Sequence, residues 1–257
     1  MKIFNNLIAL GAMALVVSAS SCKKDEGDPV IPGTNPGKVS LEFSNSVGSE
    51  PITFGSKWYK NENGDSFTLS KFNYYISNIR LNKADGSTAF TEADSYHLIE
   101  ENKVASKNFE MTNVPAGTYN SITFLIGVDS ARNSSGAQTG ALDPANGMFW
   151  TWSTGYIMVK IEGNSPKSTA SGNAFQLHAG GYTGANSVLR TVTLNFPSSI
   201  VVDGNSKHVH LRADLLEALK TPNTINFATT NTIMSAGATA KMFADNYTDM
   251  LTVTAVE

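Results

Sequence analysis

The chain has 257 residues, of which 41% are hydrophobic and 16% are charged, and its formal net charge is −3 at pH 7. Because nucleic acids and anionic membrane faces attract basic proteins, this mild acidity argues against either as a partner. The length suffices for one hydrophobic core, and with Cys22 as the single cysteine no internal disulfide can stabilise the fold.

The N-terminus has the pattern of a secretory signal. Lys2 precedes an apolar run over residues 7–17, and four small residues at 18–21 precede Cys22. The run is shorter than the ~20 apolar residues that a membrane-spanning helix needs. Small residues before a cysteine resemble the lipobox of bacterial lipoproteins, which implies that residues 1–21 are a signal peptide and that lipidated Cys22 anchors the chain to a membrane. The alternative is an ordinary cleavage that leaves Cys22 as a free thiol.

Residues 22–37 have the composition of a flexible tether, with charges, prolines and glycines but no apolar periodicity. Removal of the signal peptide takes away one basic residue, Lys2, and leaves a net charge of −4. The acidic stretch over residues 25–28 resembles the surface-export signal of Bacteroidetes lipoproteins, although a plain linker can carry the same charges. We therefore expect an outer-membrane lipoprotein that faces either the periplasm or the cell surface.

Strand patterns dominate from residue 38 onward. They predict strands over residues 39–43, 67–81, 96–99, 119–128, 156–162, 174–178, 189–196, 207–213 and 251–256. Helix patterns occur only late, over residues 214–219 and 235–246, with Ser235 as the expected N-cap of the second. Short strands separated by turns rich in Gly, Pro, Asn and Asp are typical of a sandwich or barrel. The prediction is an all-β fold, a single β-sandwich-like domain over residues 38–257 with one or two short helices near the C-terminus.

Histidines are the natural metal ligands once Cys22 is acylated. In the predicted strand 174–178, alternation places His178 on the opposite face from Phe175 and Leu177, at a strand end followed by glycines that let a ligand approach closely. The alternative is a hydrogen-bonded histidine at the rim of a sheet.

Three other histidines lie elsewhere in the sequence. His208 and His210 share one face of a predicted strand, and imidazoles at i and i+2 can chelate one ion because their side chains start about 7 Å apart. The alternative is a solvent-facing pair. His97 has no nearby partner in sequence, so we expect a structural role for it.

The densest aromatic segment covers residues 140–156. Trp150 and Trp152 project to one face of an extended segment. In the simplest interpretation both indoles pack into the core. Asp129 and Asp143 lie nearby in sequence and could hold calcium together with loop carbonyls, although no regular calcium-loop pattern is present.

The sequence contains none of the common catalytic motifs. There is no Gly-x-Ser-x-Gly, no His-Glu-x-x-His, no phosphate loop and no dinucleotide fingerprint. A glycosidase with paired carboxylates stays open as an alternative, because carboxylates from distant strands can meet in a fold. We expect a protein that is not an enzyme.

Several motifs together resemble the MbnP-like domain family, in the same order through most of residues 38–257. They are FNYYISNIRL (72–81), IGVDS (126–130), QTGALDP (138–144), GMFWTWSTGY (147–156), FQLHAGG (175–181) and IMSAG (233–237). The family includes members from methanobactin operons and is related to the methanotroph copper proteins MopE and CorA. The resemblance implies a secreted β-rich protein.

The same resemblance implies a copper site. In those relatives, histidines hold copper together with a kynurenine, which a di-haem oxidase of the MauG type makes from tryptophan. Carried over to this chain, His178 would be a copper ligand and either Trp150 or Trp152 would be oxidised. No second ligand histidine matches a family motif, so His208 and His210 complete the set of expected metal residues on local pattern alone.

Two functions from different classes follow. The leading hypothesis is a non-enzymatic, extracytoplasmic lipoprotein that binds or handles copper. The alternative is a cell-surface interaction module that binds a glycan or an envelope partner without metal, through Trp58 and Tyr59 beside the polar turn at residues 61–65. The simplest interpretation of that pair is that one of the two packs into the core.

Overall fold

The computed structural model describes residues 35–136, 138–150 and 155–257. The predicted signal peptide, Cys22, most of the predicted tether and Trp152 lie outside these ranges. The strands are β1 (Gly37–Val47), β2 (Glu50–Pro51), β3 (Tyr59–Lys60), β4 (Ser66–Asn82), β5 (Thr88–Thr91), β6 (Tyr96–Glu100), β7 (Asn108–Val114), β8 (Gly117–Ile126), β9 (Phe149–Trp150), β10 (Gly155–Asn164), β11 (Ala174–Gly180), β12 (Arg190–Val202), β13 (Ser206–Asp214), β14 (Thr232–Ile233) and β15 (Leu251–Val256).

Helices are short and few in the described residues. The α-helices are α1 (Ser130–Asn133), α2 (Leu215–Lys220) and α3 (Ala238–Asn246). Single 3₁₀ turns cover Val104–Lys107, Gly140–Leu142, Pro144–Asn146, Ser171–Asn173 and Tyr247–Asp249. In this part of the chain no helix has the length and apolar character needed to cross a membrane.

The described strands form two sheets. The small sheet has the order β15-β13-β1-β2, with β7 also paired to β1, and its β1–β13 pair is parallel. The large sheet has the order β12-β8-β4-β10-β11-β14, with β3, β5 and β6 paired to β4 and β9 paired to β10. The inner faces of both sheets share one apolar core, in which Phe43 of β1 meets Tyr74 of β4 edge-on at 6.4 Å between ring centroids. The predicted all-β, sandwich-like fold with short helices near the C-terminus is confirmed.

The central strand β4 is apolar on both faces, as its sequence predicts. Its inward side chains, such as Tyr74, contribute to the shared core. On the outward side Tyr75 is also fully buried, and its hydroxyl donates a hydrogen bond of 2.9 Å to the carbonyl of Ala141. A loop, and not a second sheet, therefore covers the outward face of β4 at this point. We call residues 138–150 the covering loop.

The C-terminal helices differ in detail from their prediction. Helix α2 begins at Leu215, one residue later than predicted, and the carboxylate of Asp214 caps it by accepting from the N–H of Leu216 at 3.0 Å. Helix α3 begins at Ala238 after Gly237, which makes no side-chain cap, so the predicted N-cap at Ser235 is wrong. A short polar residue before an apolar pattern favours a cap but does not fix where the first helical turn closes.

Candidate functional site

His178 lies on the outward face of the large sheet and is almost fully buried there. Its neighbours on β11, Phe175 and Leu177, point into the core, so alternation sends His178 the other way. Its side chain is nevertheless only 4% exposed. Something other than the sheet itself must cover this imidazole.

Two charged side chains on the neighbouring strand β10 lie beside His178. Lys160 is its cross-strand partner, and Glu162 is the next residue on the same face. The Nε2 of His178 lies 2.8 Å from Oε1 of Glu162, and the Nζ of Lys160 lies 3.6 Å from the same oxygen. A carboxylate only accepts, so Nε2 carries the proton of this hydrogen bond.

The other ring nitrogen of His178 is not bonded to any described residue. Its Nδ1 is buried and has no hydrogen-bond partner among the residues that the structure describes. When the ring is neutral, the proton on Nε2 leaves Nδ1 with a lone pair. Metal-bound histidines have the same arrangement, since one nitrogen binds the ion and the other donates to a carboxylate.

Electrostatics in this cluster follow from burial and proximity. The hydrogen bond from His178 lowers the pKa of the Glu162 carboxyl, against the opposing effect of burial, and the charge of Lys160 lowers it further. Burial lowers the pKa of Lys160, while the charge of Glu162 opposes that change. Glu162 is therefore ionised and occupied by two protein partners.

The indole of Trp150 lies over the strand that carries His178. A Cβ built on Gly180 would lie 2.3 Å from Cζ3 and 2.6 Å from Cη2 of Trp150, so the ring occupies the space that a side chain at position 180 would fill. Gly180 and His178 are two residues apart on one strand, and their outward positions start about 7 Å apart. Trp150 is 2% exposed. The indole therefore lies over the outward position next to that of His178 on the same strand.

Hydrogen bonds from the large sheet hold the covering loop in place. The hydroxyl of Tyr156 donates to the carbonyl of Leu142 at 2.7 Å, and the Nζ of Lys160 donates to the carbonyl of Gly147 at 2.8 Å. The N–H of Ile157 donates to the carbonyl of Met148 at 2.8 Å. These bonds fix the path of the loop just before Trp150.

The structure does not bring the other predicted metal histidines to His178. His208 and His210 lie on β13, on the outward face of the small sheet, whereas His178 lies on the outward face of the large sheet. The Nδ1 of His210 lies 3.2 Å from Oε2 of Glu42, and its Nε2 lies 3.7 Å from Oε1 of Glu257. The layers of the sandwich separate this pair from His178.

His97 has a structural environment. Its ring stacks on Phe109 with 3.5 Å between centroids and an interplanar angle of 5°. Its Nε2 lies 2.9 Å from Oε2 of Glu92, which also accepts from the hydroxyl of Ser95 at 2.5 Å. The residues around His97 thus agree with its expected packing role.

Asp129 and Asp143 are each occupied by protein donors. Oδ2 of Asp129 accepts from the hydroxyl of Tyr96 at 2.6 Å and from the side-chain amide of Asn78 at 2.9 Å. Burial opposes ionisation of Asp129, but these hydrogen bonds prevail and lower its pKa. Asp143 accepts from the N–H of Ala145 at 2.8 Å and caps a 3₁₀ turn. Both carboxylates have local structural roles, and within the described residues no group of three or more His, Cys, Asp or Glu side chains is arranged to hold a metal ion.

Trp58 and Tyr59 differ sharply in exposure. Tyr59 is 7% exposed and packs into the core, whereas Trp58 is 58% exposed. Trp58 lines a surface groove of about 390 Å³ together with Glu50 and Lys60. The interpretation that one of the two aromatics packs into the core agrees with this placement.

Sequence reasoning missed Glu162 and Lys160, which complete the surroundings of His178. The signal was present, because Lys160 and Glu162 alternate with Val159 and Ile161 in an otherwise apolar strand. Alternation gives their shared face, but only the register of β10 against β11 shows that His178 lies between them.

Comparisons with known proteins agree on one family. The family model described as MbnP matches residues 36–235. Among solved structures, MbnP from Methylosinus trichosporium matches with a TM-score of 0.51 and 15% sequence identity, over 79% of this chain and 82% of that chain. No curated protein matches. At this identity the structural match supports the fold alone.

Proposed function

This chain belongs to the MbnP family, and from this premise we propose that it is a non-enzymatic, extracytoplasmic lipoprotein that binds or handles copper. The observation that carries the proposal is the buried Nδ1 of His178, which has no hydrogen-bond partner among the described residues, on a strand that the indole of Trp150 covers at Gly180. A buried nitrogen lone pair without a partner is uncommon in a native fold, and a bound ion would supply the partner.

The residues around His178 fit a soft ion. An imidazole nitrogen suits copper, and the carboxylate of Glu162 holds the ring in the tautomer that a metal needs. Calcium fits less well, because it needs six to eight oxygen ligands and the Glu162 oxygen nearest His178 is already shared between His178 and Lys160. When bound, copper would be held by the Nδ1 of His178.

Oxidation of tryptophan would supply a second donor. We propose that Trp150 or Trp152 is converted to kynurenine, whose aryl amine and ketone can bind a metal where the intact indole cannot. In the net reaction the indole consumes one dioxygen and one water, its C2–C3 bond breaks, and C2 leaves as formate. The oxidant would act through a di-haem partner of the MauG type.

The proposed location follows from the N-terminal sequence. Lipidation at Cys22 would anchor the chain in the outer membrane, with the β domain facing the periplasm or the cell surface. In that compartment the chain would have access both to a dioxygen-dependent oxidase and to copper.

The test is metal analysis of the protein purified from its native host under copper-replete growth. We expect copper bound to the wild type and its loss in His178→Ala. The matched control is His208→Ala, because His208 is exposed on the other sheet and its removal should leave copper in place. Copper retained equally by both variants would refute the role of His178.

A mass measurement tests the oxidation separately. The peptide that contains residues 150–152 should carry the mass change produced by replacing one carbon with one oxygen. Unmodified tryptophans in protein that holds no copper would refute the proposal in this form.

The exposure of Trp58 supports a second function from another class. An indole that is 58% exposed beside a groove is available to stack on a sugar ring. In this alternative the chain is a surface module that binds a glycan or an envelope partner without metal. Glycan-array binding that survives His178→Ala and is lost in Trp58→Ala would favour it over copper.

A further inference from the structure

The large sheet carries a second polar surface near its β12 edge. Strands β12, β8, β4 and β5 lie side by side there, and their outward side chains form two cross-strand rows. The rows are Thr193–Thr123–Arg80 and Asn195–Ser121–Asn82. Together with the turn between β4 and β5 they line a groove of about 370 Å³, which we call the Arg80 groove. This volume is in the range of small-ligand sites.

Arg80 has no partner among the described residues that surround this groove. Its guanidinium makes no hydrogen bond, ion pair or ring contact with any residue that the structure describes, and its Nε is buried. Buried donors are nearly always paired in native proteins, because an unpaired one loses its hydration without compensation. An acceptor atom of a bound ligand would supply the hydrogen-bond partner that Arg80 lacks among the described residues.

The charge of the groove points to an anion. Lys83 adds a second cation to its lining, and no carboxylate of the described residues is part of that lining. Asp85, in the adjoining turn, directs Oδ1 to the N–H and the hydroxyl of Ser87, at 2.9 and 2.6 Å. Asp85 also interacts electrostatically with Lys83, so the charge left without an opposite partner in the groove is that of Arg80.

The neutral side chains around Arg80 indicate what else the ligand carries. The side-chain amide of Asn82 donates to the hydroxyls of Ser121 and Thr123, at 3.2 and 2.8 Å, and the hydroxyls of Thr123 and Thr193 lie 2.8 Å apart. Each hydroxyl keeps further capacity to donate or accept. Three strands spaced about 4.8 Å apart give these rows a width of roughly 10 Å, which is wider than a small inorganic anion needs.

We propose that the Arg80 groove binds a uronic-acid unit of an acidic oligosaccharide. The planar guanidinium pairs with the sugar carboxylate through two parallel hydrogen bonds, and the Thr, Ser and Asn rows pair with sugar hydroxyls. This site is independent of the proposed copper function, since it uses other residues and other strands than His178 and Trp150.

Calorimetric titration of the purified full-length protein with trigalacturonate tests the proposal. We expect saturable binding that Arg80→Met weakens tenfold or more, and that Arg80→Lys weakens less because charge remains while the bidentate geometry is lost. Arg212→Met is the matched control, because Arg212 is exposed on β13 of the other sheet, and it should bind like the wild type. No binding to the wild type, or equal binding by the Arg80→Met and Arg212→Met variants, would overturn the proposal.

Two further measurements distinguish recognition of the sugar from simple charge attraction, and loss of binding contacts from misfolding. Maltotriose, a neutral trisaccharide, should not bind, and sodium sulfate should bind at least tenfold more weakly than trigalacturonate. Equal affinity for sulfate would overturn the sugar assignment. Asn195→Ala changes an exposed rim residue without touching the core, so weaker binding by this folded variant supports the groove, and unchanged binding counts against the hydroxyl and amide rows.

Discussion

Substitution of Gly180 by alanine tests most directly whether the indole of Trp150 lies against the strand of His178. The new Cβ would lie 2.3 Å from Cζ3 of Trp150, whereas non-bonded carbons prefer about 3.5–4.0 Å. The ring must therefore recede by roughly 1.2 Å or more. Overpacking of this kind costs about 1–3 kcal/mol. Backbone strain adds nothing, because Gly180 is not in the left-handed region.

A double-mutant cycle isolates the indole from other causes. In urea unfolding, Gly180→Ala in the otherwise wild-type protein should lower the free energy of unfolding by about 1–2 kcal/mol. In a Trp150→Leu background the six-membered ring is gone, and the same change should be neutral or stabilising by up to about 1 kcal/mol, since alanine suits a strand better than glycine. The expected coupling is about 2 kcal/mol.

Gly163→Ala provides the control for this cycle. Its Cβ would lie 1.9 Å from the carbonyl oxygen of Thr68, so its large cost should not depend on the residue at position 150. A cost of Gly180→Ala that is the same in both backgrounds would refute the placement of the indole against Gly180, and with it one structural support of the proposed copper site.

Three other substitutions have expected outcomes that unfolding measurements check. The folded pKa of Glu162 is lowered from 4.5, so Glu162 contributes about 1–2 kcal/mol to the free energy of unfolding. This contribution is present above pH ~4.5 and is lost as the pH falls through the folded pKa. Glu162→Gln should remove that pH dependence of stability, whereas Glu110→Gln at the surface should keep it. Tyr96→Phe removes the hydroxyl that donates to Asp129, so stability should fall by about 1–2 kcal/mol at pH 7 and by less below pH ~4, and an equal loss at both pH values would contradict this. Asn246 is fully buried and pairs with the carbonyl of Ala218 and the N–H of Asn223, so Asn246→Ala should cost about 2–3 kcal/mol, whereas exposed Asn205→Ala should cost under about 0.5 kcal/mol.

Alternation in the sequence located most long strands, and the exceptions have physical reasons. The predicted strand at residues 189–196 continues as β12 to Val202, past Pro197, because its pairing with β8 is interrupted between Asn195 and Ile200. A proline can lie within a strand at such an irregularity, since no ladder hydrogen bond is needed there. Two-residue strands such as β9 carry no periodicity and cannot be found from a pattern.

The candidate site shows a different limit. Alternation predicted the face of His178 correctly, but Glu162 is 16 residues away in sequence, and register alone brings the two together. The contact of Trp150 with Gly180 depends on the path of the covering loop, which hydrogen bonds from Tyr75, Tyr156 and Lys160 determine. Contacts of this kind are tertiary, and no local pattern encodes them.

The charges beneath the covering loop bear on which ion the site could hold. The Oε1 of Glu162 is hydrogen-bonded to His178 and lies near the Nζ of Lys160. The cluster therefore offers the Nδ1 of His178 and a single further carboxylate oxygen, Oε2 of Glu162, among the contacts described. Hard dications need several oxygens, whereas a soft monovalent ion accepts few neutral donors. One imidazole alone holds such an ion weakly, so copper affinity should depend on whether the adjacent indole has been oxidised. Protein made without an oxidising partner should then bind copper more weakly than native protein of identical sequence, as measured by equilibrium competition with a copper chelator. Equal affinities would show that copper binding does not depend on oxidation of the indole and would leave the imidazole alone as the proposed ligand.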